Sequence, residues 1–144
     1  MVLFAYDGSD HARTAIAKAG ETLRPGAAVV ATAWTSYADA APRALLRASV
    51  RPVVDDLDAA GREAAEELAA EGAELARAAG FDAEPRAVRA SGPFFAALLE
   101  LADELDARAI VVGSRGRSQI AAAVLGSVST GILHNTQRPV LVAR

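Results

Sequence analysis

The chain contains no cysteine, which excludes disulfides, thiol catalysis and cysteine-held metals. Lysine is nearly missing: Lys18 is the only one, so almost every positive charge is an arginine, a bias of composition. No Gly-x-x-x-x-Gly-Lys-Ser/Thr phosphate loop occurs, nor a Ser-His-Asp order or nucleophile elbow. His11 and His134 fall on different helical stretches without a partner at metal-ligand spacing. No general base stands out, so catalysis is not expected and slow hydrolysis is the most the residues support. No apolar run approaches the roughly 20 residues a membrane-spanning helix needs. The net charge of −3 gives no bulk attraction to nucleic acid or anionic membrane. The first residues look like a strand and not a leader, so a cytoplasmic protein is expected by elimination.

What is present describes one folded unit. At 144 residues and 52% hydrophobic composition, the chain can bury a core as a single domain, 1–144. Val2 to Tyr6 is apolar throughout, as in a strand covered on both faces. Asp7-Gly8-Ser9-Asp10 breaks it, with Ser9 or Asp10 placed to cap a helix whose apolar side is Ala12, Ala15, Ile16, Ala19 and Leu23. Ala27 to Trp34 reads as the second strand. Thr35 to Pro52 reads as a mobile loop over one end of the sheet, with a helical turn near Ala44 to Ala48 and a length that favours a functional or partner-facing role. A long helix follows from Val54 to Ala79. Its inward seam is expected at Leu57, Gly61, Ala64, Leu68, Gly72, Leu75 and Ala79, and its acidic side is read as a solvated face.

Phe81 to Arg89 reads as the third strand, and Pro85 within it argues for a sheet edge. Ser91-Gly92-Pro93 reads as a helix start with serine as the cap. Phe95, Leu98, Leu99, Ala102 and Leu105 form the expected core side of that helix. Ala109 to Val112 is a fourth strand, Ser127 to Asn135 a last helix, and Pro139 to Ala143 a fifth strand, again marked by proline as an edge. This alternation predicts an α/β fold: a single doubly wound five-stranded parallel sheet with helices on both faces.

The chemistry concentrates between Val112 and Ser129. Gly113 and Gly116 allow a sharp turn that exposes backbone N–H groups. After nine more residues come Gly126 and Ser127, at the start of a helix whose first amides, with the hydroxyls of Ser127 and Ser129, form a second anion site. Two donor-rich turns on one ligand suggest the ribose and phosphates of a nucleotide. Arg115 and Arg117 lie beside them and are placed to neutralise phosphate charge.

The spacing Gly-two-Gly-nine-Gly-Ser, with the opening Met1 to Asp7 and the closing Gln137 to Ala143, resembles the ATP-binding branch of the universal stress protein family. The resemblance covers essentially the whole chain and implies the strand order 3-2-1-4-5, which agrees with prolines at opposite edges. In that order the winding reverses between strands one and four, where open sheets bind ligands. The family likeness implies that Asp7 contacts the adenosine part. It also implies adenine beside Ala5, Ala33 and Val112, with Tyr6 between Ala5 and Asp7 in the same wall. Gly113 and Gly116 would wrap ribose and phosphates, and Gly126, Ser127, Val128 and Ser129 would hold phosphate oxygens. Trp34 reads more readily as a core aromatic than as a base-stacking one.

The implied function is an ATP-binding stress-response or regulatory protein, a nucleotide-dependent switch or interaction module with an unidentified protein partner. Any Mg2+ would arrive with the phosphates. A cyclic nucleotide or AMP is the alternative ligand, and a slow ATP-hydrolysing enzyme of related architecture the alternative class. The Asp7 to Asp10 turn does not match the Ser-Gly-Gly-x-Asp-Ser loop of such enzymes. A homodimer through Pro139 to Ala143 is also implied, since Val140-Leu141-Val142 would otherwise be an exposed apolar edge.

Overall fold

The structure, a computed structural model, describes residues 1–40, 50–116 and 125–144. The elements run β1 (Val2–Ala5), α1 (Asp10–Thr22), β2 (Ala27–Thr35), α2 (Tyr37–Ala40), α3 (Arg51–Ala78), β3 (Asp82–Ala90), α4 (Phe94–Glu104), β4 (Ala109–Gly113), α5 (Ser127–Asn135) and β5 (Val140–Ala143). The strands form one parallel sheet in the order β3-β2-β1-β4-β5, as expected. The central strands are apolar without alternation because both faces are covered. Leu3 lies between Val29 and Ile110 in register, and Phe4 between Val30 and Val111. Pro85 sits on β3, which pairs only with β2, and Pro139 directly precedes β5, the other edge.

Alternation along each strand sends successive side chains to opposite faces and so builds two cores. Phe4, Val30 and Val111 pack with Ile16 of α1, with Ala73 and Ala76 of α3, and with Phe81. The Phe4 and Phe81 rings meet edge-on, 5.1 Å between centroids. Leu3, Val29 and Ile110 pack with Leu98 and Leu101 of α4 and Ile132 of α5. Phe95, Leu99 and Leu105 are only partly buried beside that second core.

Three local expectations need correction. The seam of α3 is Val54, Ala65, Ala69, Gly72, Ala73 and Ala76, whereas Leu57 is 44% exposed. Alanine gives the closest approach of helix to sheet, and the leucines flank it. The cap of α4 is Pro93, with no side-chain capping bond, while the Ser91 hydroxyl donates instead to Asp39 at 3.2 Å. Finally, α3 begins at Arg51, and α2 lies within the stretch read as a loop. The helical turn expected at 44–48 lies outside the described residues.

Candidate functional site

Toward the crevice the strands turn to small residues. On β2 Val29 and Val30 give way to Ala31 and Ala33 before Trp34 and Thr35 end the strand, on β1 Phe4 gives way to Ala5, and on β4 Val112 to Gly113. Where those ends meet, a cavity of about 360 Å³ opens. Ala5, Ala31, Ala33 and Val112 line its apolar part, with Leu98 and Val128 from α4 and α5. Asp7, Arg115, Gly116, Gly126, Ser127 and Ser129 line its polar part, and Tyr6 and Gly113 complete the set expected from sequence. The cavity lies at the reversal of winding between β1 and β4.

The turn after β1 is fixed by its own polar groups. Asp7 Oδ1 accepts from the Ser9 amide at 3.0 Å, and Ser9 Oγ accepts from the Ala12 amide at 3.2 Å, capping α1. The Ser9 hydroxyl also donates to the Arg115 carbonyl at 3.3 Å, which ties this turn to the one after β4.

Each glycine of the motif has a separate physical cause. A Cβ on Gly113 would stand 2.7 Å from Ala12 N and His11 C, so this position is small because the first turn of α1 presses on β4. Neither Gly113 nor Gly116 has a positive φ; among the described glycines only Gly8 and Gly80 do. Close approach of backbone, not an unusual turn conformation, therefore requires glycine at 113, whereas at 116 a Cβ would meet only the tip of the Asp7 side chain, 2.7 Å from Oδ2. A Cβ on Gly126 meets nothing nearer than 3.5 Å, and those atoms are Arg115 Cα and Gly116 N. Gly126 therefore faces the first turn across a gap that a methyl group would occupy.

The two turns are joined through Ser114, which is buried. Its carbonyl accepts from the Gly126 amide at 2.7 Å and from the Ser129 hydroxyl at 3.2 Å. The Ser129 hydroxyl is thus engaged within the chain, its other acceptor being the Gly126 carbonyl at 3.0 Å. The amides of Ser127, Val128 and Ser129 form the first turn of α5, where N–H groups lack intrahelical acceptors and the helix dipole favours an anion.

Behind the cavity, the Tyr6 hydroxyl donates to Glu71 at 2.6 Å, and Arg13 pairs with the same carboxylate oxygen at 2.5 Å. Burial, then the bond to Glu71, pushes the Tyr6 phenol above its ordinary value, so it stays neutral. The Thr32 hydroxyl donates to the Tyr6 carbonyl at 2.9 Å, and Tyr6 N–H to Ala31 O at 2.9 Å closes the pairing of β1 with β2. Further along β2, Ala33 lines the cavity.

Trp34 points elsewhere, lining a groove with Asp58, Arg62 and Arg89 on the outer side of the molecule. Arg117 lies outside the described residues. His11 meets Ser114, Nδ1 to Oγ 3.3 Å. Among the described residues no group of His, Cys, Asp or Glu is arranged to hold a metal, and no helix is long and apolar enough to cross a membrane. Thr32, Leu68, Phe94 and Leu98 also line the cavity. Leu68 and Leu98 were legible only as core positions, and nothing in the pattern singled out Thr32 or Phe94.

The model of the Universal stress protein family matches residues 1–144. The chain belongs to that family. Among solved structures, a universal stress protein in complex with cAMP is 31% identical, with 99% of this chain and 95% of that one covered, at a TM-score of 0.65. The universal stress protein from Archaeoglobus fulgidus in complex with dAMP is 20% identical, over 99% and 96% of the two chains, at a TM-score of 0.65. The hypothetical protein MJ0577 is 20% identical over 99% and 93%, at a TM-score of 0.80. No curated protein matches.

Proposed function

We propose that this universal stress protein binds an adenine nucleotide in the cavity at the ends of β1 and β4, and that binding regulates a partner. The observation that carries this is the opposed pair of turns. Gly126, whose added Cβ would touch Arg115 Cα and Gly116 N at 3.5 Å, lines the same cavity as Arg115 and Gly116, together with Ser127, Val128 and Ser129 of the first turn of α5. In this reading the base lies in the apolar part against Ala5, Ala33 and Val112. Asp7 accepts from ribose hydroxyls, Tyr6 and Gly113 support the wall, and Arg115 offsets phosphate charge. ATP is the proposed ligand, with Mg2+ carried in on its phosphates.

A monophosphate or cyclic nucleotide is the second reading, favoured by the cAMP complex of a protein 31% identical to this one. Regulation without turnover is proposed because, among the described residues, the wall offers Arg115, the amides of the α5 start and an Asp7 carboxylate already accepting from the Ser9 amide. Pairing of two copies along β5 is proposed from its apolar edge residues, half-buried in the single chain.

Isothermal titration with ATP, AMP and cAMP tests the site and ranks the ligands. Saturable binding is expected, weakened at least tenfold by Gly126→Ala. Heat indistinguishable from dilution for all three would remove the proposal, as would a Gly126→Ala variant with unchanged affinity.

A further inference from the structure

α4 opens with two adjacent phenylalanines that meet different fates. Phe95 turns inward beside Leu98 in the core and lies so near α5 that a Cβ on Gly131 would stand 2.3 Å from its ring. Phe94 remains 39% exposed. The large apolar side chains left exposed among the described residues also include Tyr37, Val53, Leu57 and Leu133, but of all of them Phe94 alone lines the cavity.

Its place there follows from helix geometry. Phe94 and Leu98 are four residues apart and so share one face of α4. Leu98 is buried and closes the inner part of the cavity, and Phe94 stands one turn further out as its rim. The opposite wall is Leu68 of α3, from the other face of the sheet, which reaches within 2.9 Å of where a Gly8 Cβ would lie. Between these walls Ala5, Ala31, Ala33 and Val112 present small apolar side chains, with Thr32 the polar residue among them, which leaves a slot with largely apolar sides. A flat, uncharged, polarisable group fits such a slot, and an aromatic ring held at its edge finds a partner face there.

We propose that Phe94 is a base-stacking side chain, so that the site selects ligands by their aromatic base and not by sugar and phosphate alone. This rests on the nucleotide-binding reading of the cavity. Stacking on a ring is tolerant of base identity, because every base has a π-face. Phe94 therefore sets affinity for nucleotides as a class and not for one base.

Three variants test this on the full chain by titration with ATP and by thermal melting. Phe94→Ala should weaken ATP binding on the order of 5- to 150-fold, the range found for truncated base-stacking aromatics, with a melting temperature close to wild type. Phe94→Leu should recover little of the loss, and Phe94→Trp should recover most of it. Because Trp34 lies outside the cavity, ATP should quench emission newly in Phe94→Trp and not in wild type. Wild-type affinity in Phe94→Ala, or full rescue by leucine, would overturn the stacking role while leaving the site intact. Failure of the wild type itself to bind ATP, AMP or cAMP would instead remove the nucleotide reading and this inference with it.

Discussion

Asp7 and Gly116 press on one another: a Cβ placed on Gly116 would stand 2.7 Å from Asp7 Oδ2. The contact is with the tip of a side chain, which can turn aside at little cost, so Gly116→Ala should fold. It should nevertheless rotate the carboxylate away from the cavity and weaken ATP binding. If the two act as one unit, Gly116→Ala and Asp7→Ala should be non-additive by roughly 0.5–3 kcal/mol, the range for residues in contact. A double-mutant cycle read by titration checks this, and strict additivity would mean that Asp7 acts independently of the turn.

Gly113 stands in a harder place, because the atoms 2.7 Å from its missing Cβ are backbone atoms of α1. Gly113→Ala should therefore destabilise the fold by about 1–3 kcal/mol, the cost of overpacking. Gly126→Ala should stay within about 0.5 kcal/mol, since its nearest neighbours are at 3.5 Å. Denaturant titration separates the two. Equal stability of both variants would mean that α1 moves off β4 without cost.

At the outer end of β2, Asp58 accepts from the Ser36 hydroxyl and from the Tyr37 amide at 2.6 Å. The Ser36 bond is the main cause that holds its carboxyl below the ordinary aspartate range; burial opposes it, and the amide bonds and Arg89 assist. A depressed folded value means that the ionised form is preferred by the native state. The resulting stability is present above about pH 4 and is lost as pH falls through the lower folded value. Melting temperatures between pH 6 and pH 2 should fall more steeply for wild type than for Asp58→Asn. Parallel curves would show that the Ser36–Asp58 contact contributes nothing to acid stability.

The β5 edge predicts assembly. Val140, Leu141 and Val142 are only half-buried in one chain, and an apolar edge strand is a template for pairing with another chain. Light scattering at micromolar concentration should give twice the 14.8 kDa chain mass. A monomer mass there would reject pairing through this strand.

How far the sequence was legible depends on what carried each signal. The strands were readable because Val2–Phe4 and Ile110–Val112 are continuous apolar runs, and the edges because Pro85 and Pro139 restrict pairing. The place of the cavity was readable because small residues and glycines make much of its wall: Gly113 yields to the backbone of α1, Gly116 to the Asp7 carboxylate, and Gly126 lies in ordinary contact with the Arg115–Gly116 turn. The α3 seam was misplaced for a composition reason: in a helix this rich in alanine, hydrophobicity barely separates one face from another, and leucine draws the eye to the flanks. Ser91 looked like a cap, but Asp39, distant in sequence, holds its hydroxyl. Phe94 and Thr32 escaped because a wall residue of a cavity carries no periodic signature: the packing of α4 against the sheet places Phe94, and the bond from the Thr32 hydroxyl to the Tyr6 carbonyl places Thr32.

The Ser114 carbonyl is where both ends of the motif are tied, by the Gly126 amide and the Ser129 hydroxyl. A tie made to a main-chain oxygen survives any side-chain exchange at Ser114, so of the two links only the Ser129 hydroxyl can be removed by side-chain substitution, and the Gly126 amide would still hold the start of α5 to the end of β4.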